Sequence, residues 1–366
     1  MSILNVTTNS AFATISDAIS ASFAGDVLQV PSGLYIEEFP LITHSLTIVG
    51  VGGMAHLQTP APLPRNTRAV LFVPYNARAD LTVSNLEISG AANGGTNGAG
   101  ILFEVGNGTL RVTDSWFHGN QNGILTGGGA GMRVEITRSE FGYNGVAPSV
   151  TVVGRPHNLY VGAADSLVVT DSYFHDVLGE SHELKSRAMT NVITNNRFVD
   201  GAVSRASYSI DLPNGGDSLV SGNEIVKGPN AVNRTVVHFG GEAVPTWPGS
   251  KLDMVGNIIV NQRAAGSTAL TNESRDASNM ANPVNFNNNT LYNIETIVQT
   301  IYGPPMPLLS NNILLTGAGP EISNAHPWIQ SGATVAEPAS MIILGTAMLG
   351  CAALARLRRN RVRIAA

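Results

Sequence analysis

The densest group of reactive side chains in this 366-residue sequence lies near its middle: Tyr160, then Ser181-His182-Glu183-Leu184-Lys185-Ser186-Arg187-Ala188, then Tyr208-Ser209-Ile210-Asp211-Leu212-Pro213-Asn214-Gly215-Gly216. A lysine and an arginine two residues apart supply fixed positive charge, and the phenols, imidazole and carboxylates around them can move protons. That set suits removal of a proton lying beside a carboxylate. A cation neutralises the carboxylate, a base takes the acidified proton, and an acid protonates the leaving oxygen. Lys185 and Arg187 fit the cation and base roles, and His182, Tyr208 or Tyr160 can serve as the acid. Glu183, Arg205, Asp211 and His238 complete the candidates as substrate-binding groups.

A repeat positions these residues. Its unit is a hexapeptide with a β-branched or apolar residue, two mostly polar residues, Asn or Ser, any residue, and a large apolar one. Copies begin at Val112, Ile136, Val169, Ile193, Val220, Met254, Phe286 and Leu309, with a looser one at Val83. Successive starts lie 23 to 34 residues apart, the length of one solenoid coil whose turns can swell on one side. The first and sixth residues are expected to point inward. The fourth, which is Ser115, Ser139, Ser172, Asn196, Asn223, Asn257, Asn289 or Asn312, is expected at a bend between two strands. Asn tolerates a left-handed backbone there, and its amide can bond to the next coil. Phe12, Ile15, Ile19 and Phe23 recur at helical spacing and predict a capping helix over about residues 11–23. The fold expected over 1–320 is therefore all-β: a right-handed parallel β-helix, followed by a linker at 321–334.

The block Gly25-Asp26-Val27-Leu28-Gln29-Val30-Pro31-Ser32-Gly33-Leu34-Tyr35, followed by Leu46-Thr47-Ile48-Val49-Gly50, resembles the opening of pectin-lyase-like β-helix proteins. With the repeats, the resemblance covers about residues 11 to 317 and implies the fold, not a particular chemistry. Counted from the repeats at 193 and 220, Lys185 and Asp211 fall on adjacent coils. Strand alternation then turns Glu183, Lys185, Arg187, Ser209 and Asp211 outward, in a strip that could hold an extended polymer. Lys185-Ser186 is similar to the Lys-Ser of chondroitinase B and related alginate lyases, where the lysine is the base and an arginine follows about one coil later. At that place this sequence has Tyr208 to Asp211, with Arg205 slightly before.

The resemblance implies β-elimination on an acidic exopolysaccharide. The competing reading is a non-catalytic surface or biofilm protein in which Glu183, Lys185, Arg187 and Asp211 form a solvated ion-pair ladder. A polygalacturonase-type hydrolase is disfavoured, since its clustered aspartates are missing: no Asn-Thr-Asp, Asp-Asp or Gly-His-Gly occurs. His44, His56, His118 and His326 read as ordinary surface or turn residues, while His157 and His175, like His238, come from central coils. No transition-metal spacing is evident, no cofactor is expected, and Ca²⁺ is conceivable only on Glu183 or Asp211. Trp116 and Tyr173 occupy the variable fifth position, where contact with sugar rings and packing between coils are both open.

Net charge is −5, yet Arg356, Arg358, Arg359, Arg361 and Arg363 crowd the last eleven residues and no acid follows Glu337. The body is thus strongly acidic, which argues against nucleic acid as a partner. The only cysteine, Cys351, falls within an apolar run from Ala339 to Ala355 that precedes the arginines. The run is near the minimum length for a bilayer span, with its arginines on the cytoplasmic side. With Glu337, Pro338, Ala339 and Ser340 ahead of it, the tail over 335–366 resembles the PEP-CTERM sorting signal of exopolysaccharide-producing Gram-negative bacteria, apart from Ala336 in place of the usual first proline. The resemblance implies an exosortase as processing partner, transient anchoring in the inner membrane, and final placement at the cell surface or in the matrix. A plain C-terminal anchor is the alternative. The opening MSILNVTTNS carries no basic segment followed by an apolar one, so a secretory leader is expected upstream of Met1 or already removed. Replacing Glu337-Pro338 by Ala-Ala should leave full-length protein in the inner membrane of the host. Mass spectrometry of mature surface protein checks this, and an intact C-terminus through Ala366 there would exclude cleavage.

Overall fold

In the computed structural model the chain is described over residues 2–60, 68–91, 97–146, 155–242, 247, 249–274, 284–302 and 307–322. Residues 335–366, with Glu337 to Ser340 and the apolar run, lie outside the described residues. The described chain is a parallel β-helix. One coil reads Leu184–Ser186, Thr190–Thr194 and Arg197–Val199, and each strand pairs in parallel with its counterpart one coil on. Strands of the first kind stack into a nine-stranded sheet, and the other two kinds form a 22-stranded sheet folded at the bend into two faces.

Period-two alternation explains which residues face inward. Val112, Ile136, Val169, Ile193, Val220, Met254 and Phe286 at the first position, and Phe117, Phe141, Phe174, Phe198, Ile225, Ile259 and Leu291 at the sixth, are all fully buried. Phe117, Phe141, Phe174 and Phe198 stack ring on ring, with centroids 4.8, 4.8 and 5.0 Å apart.

At the bend, each backbone N–H donates to the side-chain oxygen of the next coil's fourth residue. Ser172 N donates to Asn196 Oδ1 at 2.9 Å, Asn196 N to Asn223 Oδ1 at 2.9 Å, Asn223 N to Asn257 Oδ1 at 3.0 Å and Asn257 N to Asn289 Oδ1 at 2.9 Å. The left-handed backbone, however, belongs to the third residue and not to the fourth: Asp114, Arg138, Asp171, Asn195, Gly222, Gly256, Asn288 and Asn311 all have positive φ. The fourth residue must aim its side chain along the stack, so its neighbour turns the chain. Arg138 adopts φ 45° despite its bulk, and its guanidinium makes a bidentate pair with Asp114 one coil back, 2.7 Å in each arm.

The N-terminal cap differs from the sequence expectation. The helix spans only Ile15–Ser20, capped by Thr14, whose Oγ1 accepts from Asp17 N at 3.0 Å. Ile15, Ala18 and Ile19 are buried, whereas Phe12 lies on the strand Ser10–Phe12 and Phe23 is 72% exposed. That strand pairs antiparallel with Ile3–Asn5, which in turn covers the edge of Asp26–Ile36, so the first coil is closed by a hairpin as well as a helix. Asn223→Leu should cost about 1–3 kcal/mol, because it leaves the Asn196 N–H and Ile193 carbonyl without their buried partners. Denaturant unfolding reads the loss, and an unchanged midpoint would remove the amide ladder from the stability of the stack.

Candidate active site

Register alone assembles one strip of side chains on the outer surface of the nine-stranded sheet. Phe72, Leu102, Leu125, Tyr160, Lys185, Asp211, His238, Thr271 and Gln299 are successive register partners. Parallel strands are about 4.8 Å apart, so neighbours on the strip are within contact distance. The strip is apolar up to Leu125 and polar from Tyr160 onward. Strands of this sheet can be as short as three residues, which lets long turns on either side bring further groups toward it.

Asp211 is the hub. Its Oδ2 meets Lys185 Nζ at 2.8 Å and His182 Nε2 at 3.3 Å, and its Oδ1 meets His238 Nδ1 at 2.7 Å. Burial alone would raise its pKa, but His182, His238 and Lys185 hold it well below the usual carboxylate range. Burial would likewise lower Lys185, yet Asp211 and Glu242 outweigh it and keep the ammonium protonated beyond its ordinary range. Arg187 Nε donates to Tyr160 Oη at 2.8 Å, and its Nη1 reaches Asn214 Oδ1 at 2.7 Å. A single carboxylate closes the group: Glu242 bridges Lys185 Nζ at 3.0 Å and Arg187 Nη1 at 2.5 Å. Glu242 follows Gly240 and Gly241, both at positive φ, and its backbone N–H donates to Pro213 O at 3.1 Å. Trp247, from the same turn, donates its indole N–H to Arg187 O at 2.9 Å.

A row of rings flanks the strip three residues upstream on each coil. His157, His182 and Tyr208 follow one another at 4.9 and 5.0 Å, and Tyr208 stacks on His238 at 4.7 Å. His182 Nδ1 accepts from Tyr208 N at 3.2 Å, so its proton sits on Nε2 and is directed at Asp211. Burial, with Lys185 adding to it against Asp211, lowers its pKa and keeps it neutral. Both nitrogens of His182, read from the sequence as a possible proton donor, are thus engaged within the cluster. Burial also raises the Tyr208 phenol, and Asp211 adds to the shift.

Two candidates fall elsewhere. Glu183, expected outward, is fully buried. The strand begins only at Leu184, and Val177 N at 3.0 Å and the Asn158 amide draw the Glu183 carboxyl inward. It ends an interior ladder that runs from Asn120 through Asn144 and Asn158, at 3.1 and 2.8 Å. Asp200 and Lys227 lie beyond it, both buried, with Nζ 3.9 Å from Asp200 Oδ2. Burial and the nearby Asp200 push Glu183 well above the carboxylate range, and burial pulls Lys227 down to about 8. Arg205 pairs with Glu180, one coil back, at 3.4 Å, where Arg155 from the preceding coil also reaches, and not with Asp211 or Glu242. Of the two acids considered for Ca²⁺, Glu183 is bound in the interior to Val177 N and the Asn158 amide, and Asp211 to Lys185, His182 and His238. Glu242 and Trp247 escaped the sequence reading, and Asn214 was quoted in its block without a role. Gly240-Gly241, with Pro245 and Pro248-Gly249 after it, signalled a turn there but not the direction of its side chains.

The fold and this cluster define a parallel β-helix with a buried acid–base hub under a half-buried cation pair. No protein-family model matches the chain, and no curated protein sequence does. A solved structure similar to it is that of an alginate lyase from Paenibacillus sp. str. FPU-7, at 14% sequence identity and a TM-score of 0.47, covering 82% of this chain and 95% of that one.

Because the Asp211 pKa is depressed, its charge contributes stability that is complete above the unfolded value of about 3.9 and is lost as pH falls toward the folded one. Asp211→Asn should destabilise the protein by about 3–5 kcal/mol, by stranding Lys185 and two imidazoles. It should also flatten the acid limb of a stability–pH curve. A variant that kept the parental acid limb would show that another group carries it.

Proposed function

We propose that the strip from Tyr160 to His238 binds an acidic polysaccharide and cleaves it by β-elimination. One observation carries the reading: Lys185 and Arg187 already hold a carboxylate, that of Glu242, in a two-point clamp. A uronate carboxylate that displaces Glu242 meets the same pair, and its neutralisation acidifies the hydrogen on the adjacent carbon. Tyr160 lies one coil before Lys185, and Arg187 Nε donates to its oxygen, so the guanidinium offsets negative charge there. Tyr160, once its hydroxyl proton has passed to solvent, takes the carbon-bound proton, the carbon–oxygen bond to the next sugar breaks as the double bond forms, and Lys185 gives a proton to the departing oxygen. Lys185 thus acts as the acid, because Asp211 and the bound carboxylate keep it protonated, and the proton gained by Tyr160 returns to the lysine through solvent. Asp211, His182 and His238 fix the ammonium in place.

The half-buried Phe72 and Leu125, which pack on the buried Leu102 before Tyr160, offer apolar surface for sugar ring faces. The reading includes export, which rests on the tail sequence alone: the substrate is then a glycan outside the inner membrane, and exosortase processing releases the solenoid to it. Purified protein should generate ultraviolet absorbance of an unsaturated product from at least one uronic-acid polymer. Tyr160→Phe and Lys185→Ala should each slow this by about 10²–10⁴-fold while leaving the melting transition cooperative. Undiminished rates in both variants would overturn the assigned roles. Binding of such polymers without any product, lost in Arg187→Ala, would favour the non-catalytic glycan-binding reading instead.

A further inference from the structure

On a different surface, the second face of the long sheet, His56 and His118, two histidines set aside in the sequence, meet at Glu87. His56 and Glu87 are register partners on adjacent coils, and His118, on the coil after, reaches back to the same carboxylate. His56 Nδ1 lies 3.3 Å and His118 Nε2 2.9 Å from one and the same oxygen, Glu87 Oε1. One ligand atom from each residue falls within 4.8 Å of the others, and all three side chains are half-buried. Glu87 and His118 are 31 residues apart, as are His56 and Glu87. The equal spacing places them on three consecutive turns.

The surroundings hold the rings for this arrangement. His56 Nε2 is hydrogen-bonded to Ser89 Oγ at 2.7 Å, which leaves Nδ1 turned toward Glu87. Trp116 stacks on His118 with centroids 3.9 Å apart and interplanar angle 28°, so that ring is fixed as well. A partner that orients the far nitrogen of a ligating imidazole is the usual support of a metal-binding histidine. A second Glu–His pair on the same face provides the contrast. His175 Nε2 reaches back to Glu140 Oε1 at 3.1 Å with the same one-coil offset, but its Nδ1 is taken by Asp176 at 3.0 Å and the group is buried. There the imidazole bridges two acids, whereas at Glu87 two imidazoles converge on one acid and remain accessible.

We propose that His56, Glu87 and His118 bind a divalent transition metal of the zinc class. Two imidazoles and a carboxylate are a ligand set such ions accept, and three protein ligands leave at least one position for water or another donor. The ion would tie three consecutive coils together on a face other than the one that carries Lys185.

Zn²⁺ itself is the probe. Full-length protein loaded with Zn²⁺ and desalted should retain one ion per chain, measured by elemental analysis, and should melt at a higher temperature than the metal-free protein. His118→Ala and Glu87→Gln should each raise the Zn²⁺ Kd by more than the roughly 10–100-fold typical of losing a mere supporting group. His44→Ala, which alters a histidine elsewhere, should not. Zinc-edge anomalous diffraction from crystals of the unaltered protein gives a test that needs no variant: a peak between the three side chains supports the site. No retained zinc, no peak there, or equal retention by the His56→Ala/His118→Ala double variant would overturn it.

Discussion

A bend in every coil leaves a backbone N–H pointing along the stack with no partner in its own strand, and the coil after it must supply one. Ser139, Ser172, Asn196, Asn223, Asn257, Asn289 and Asn312 do so with a side-chain oxygen at 2.9 to 3.2 Å. An unmet buried donor costs about 1–3 kcal/mol, so a coil that slipped by one residue would forfeit this bond and turn its apolar face outward as well. Register is thereby fixed through the whole stack. The strip from Tyr160 to His238 and the cluster at Glu87 both follow from it, because residues tens of positions apart in sequence become neighbours only when every coil keeps step.

Charge is placed in two ways on this frame. On the outer strip, Asp211 stays ionised because Lys185, His182 and His238 surround it, and the solvent nearby moderates the cost of the ammonium. Inside, the Asn120–Asn144–Asn158 ladder ends at Glu183, Asp200 and Lys227, where burial works against every ion. Glu183 is pushed toward its neutral form and Lys227 toward deprotonation. The interior acid fixes the turn that leads into Leu184–Ser186, while the strand carries Lys185 and Arg187 outward. The inward Glu183 and the outward Lys185 are separated by a single residue, Leu184.

Much of this was legible from spacing. Lys185 and Asp211 could be set side by side because each precedes a clear hexapeptide by a similar count, and the first and sixth repeat positions announced the core. What was not legible lies where the repeat gives no count. Glu183 falls just before a three-residue strand, so alternation could not be extended to it. Arg205 and Glu242 sit in turns of irregular length, and their directions depend on Glu180 and on Gly240-Gly241. The helical spacing of Phe12 and Phe23 was real in the sequence, but pairing with a neighbouring strand claimed Phe12 and left Phe23 outside. The left-handed residue was displaced by one position because a single amide cannot both turn the chain and serve the next coil.

The Glu242 carboxylate has a consequence for what the strip can select. It is tethered beside Lys185 and Arg187, so its effective concentration there is of the order of millimolar or higher. A free monovalent acid in dilute solution competes poorly with such an internal anion, and its apparent affinity is discounted by the fraction of time the clamp stands open. A chain bearing many carboxylates suffers the same discount once but can recover it through contacts on neighbouring coils. Under the proposed function the strip would therefore discriminate by valency, deaf to single acidic sugars and responsive to the polymer.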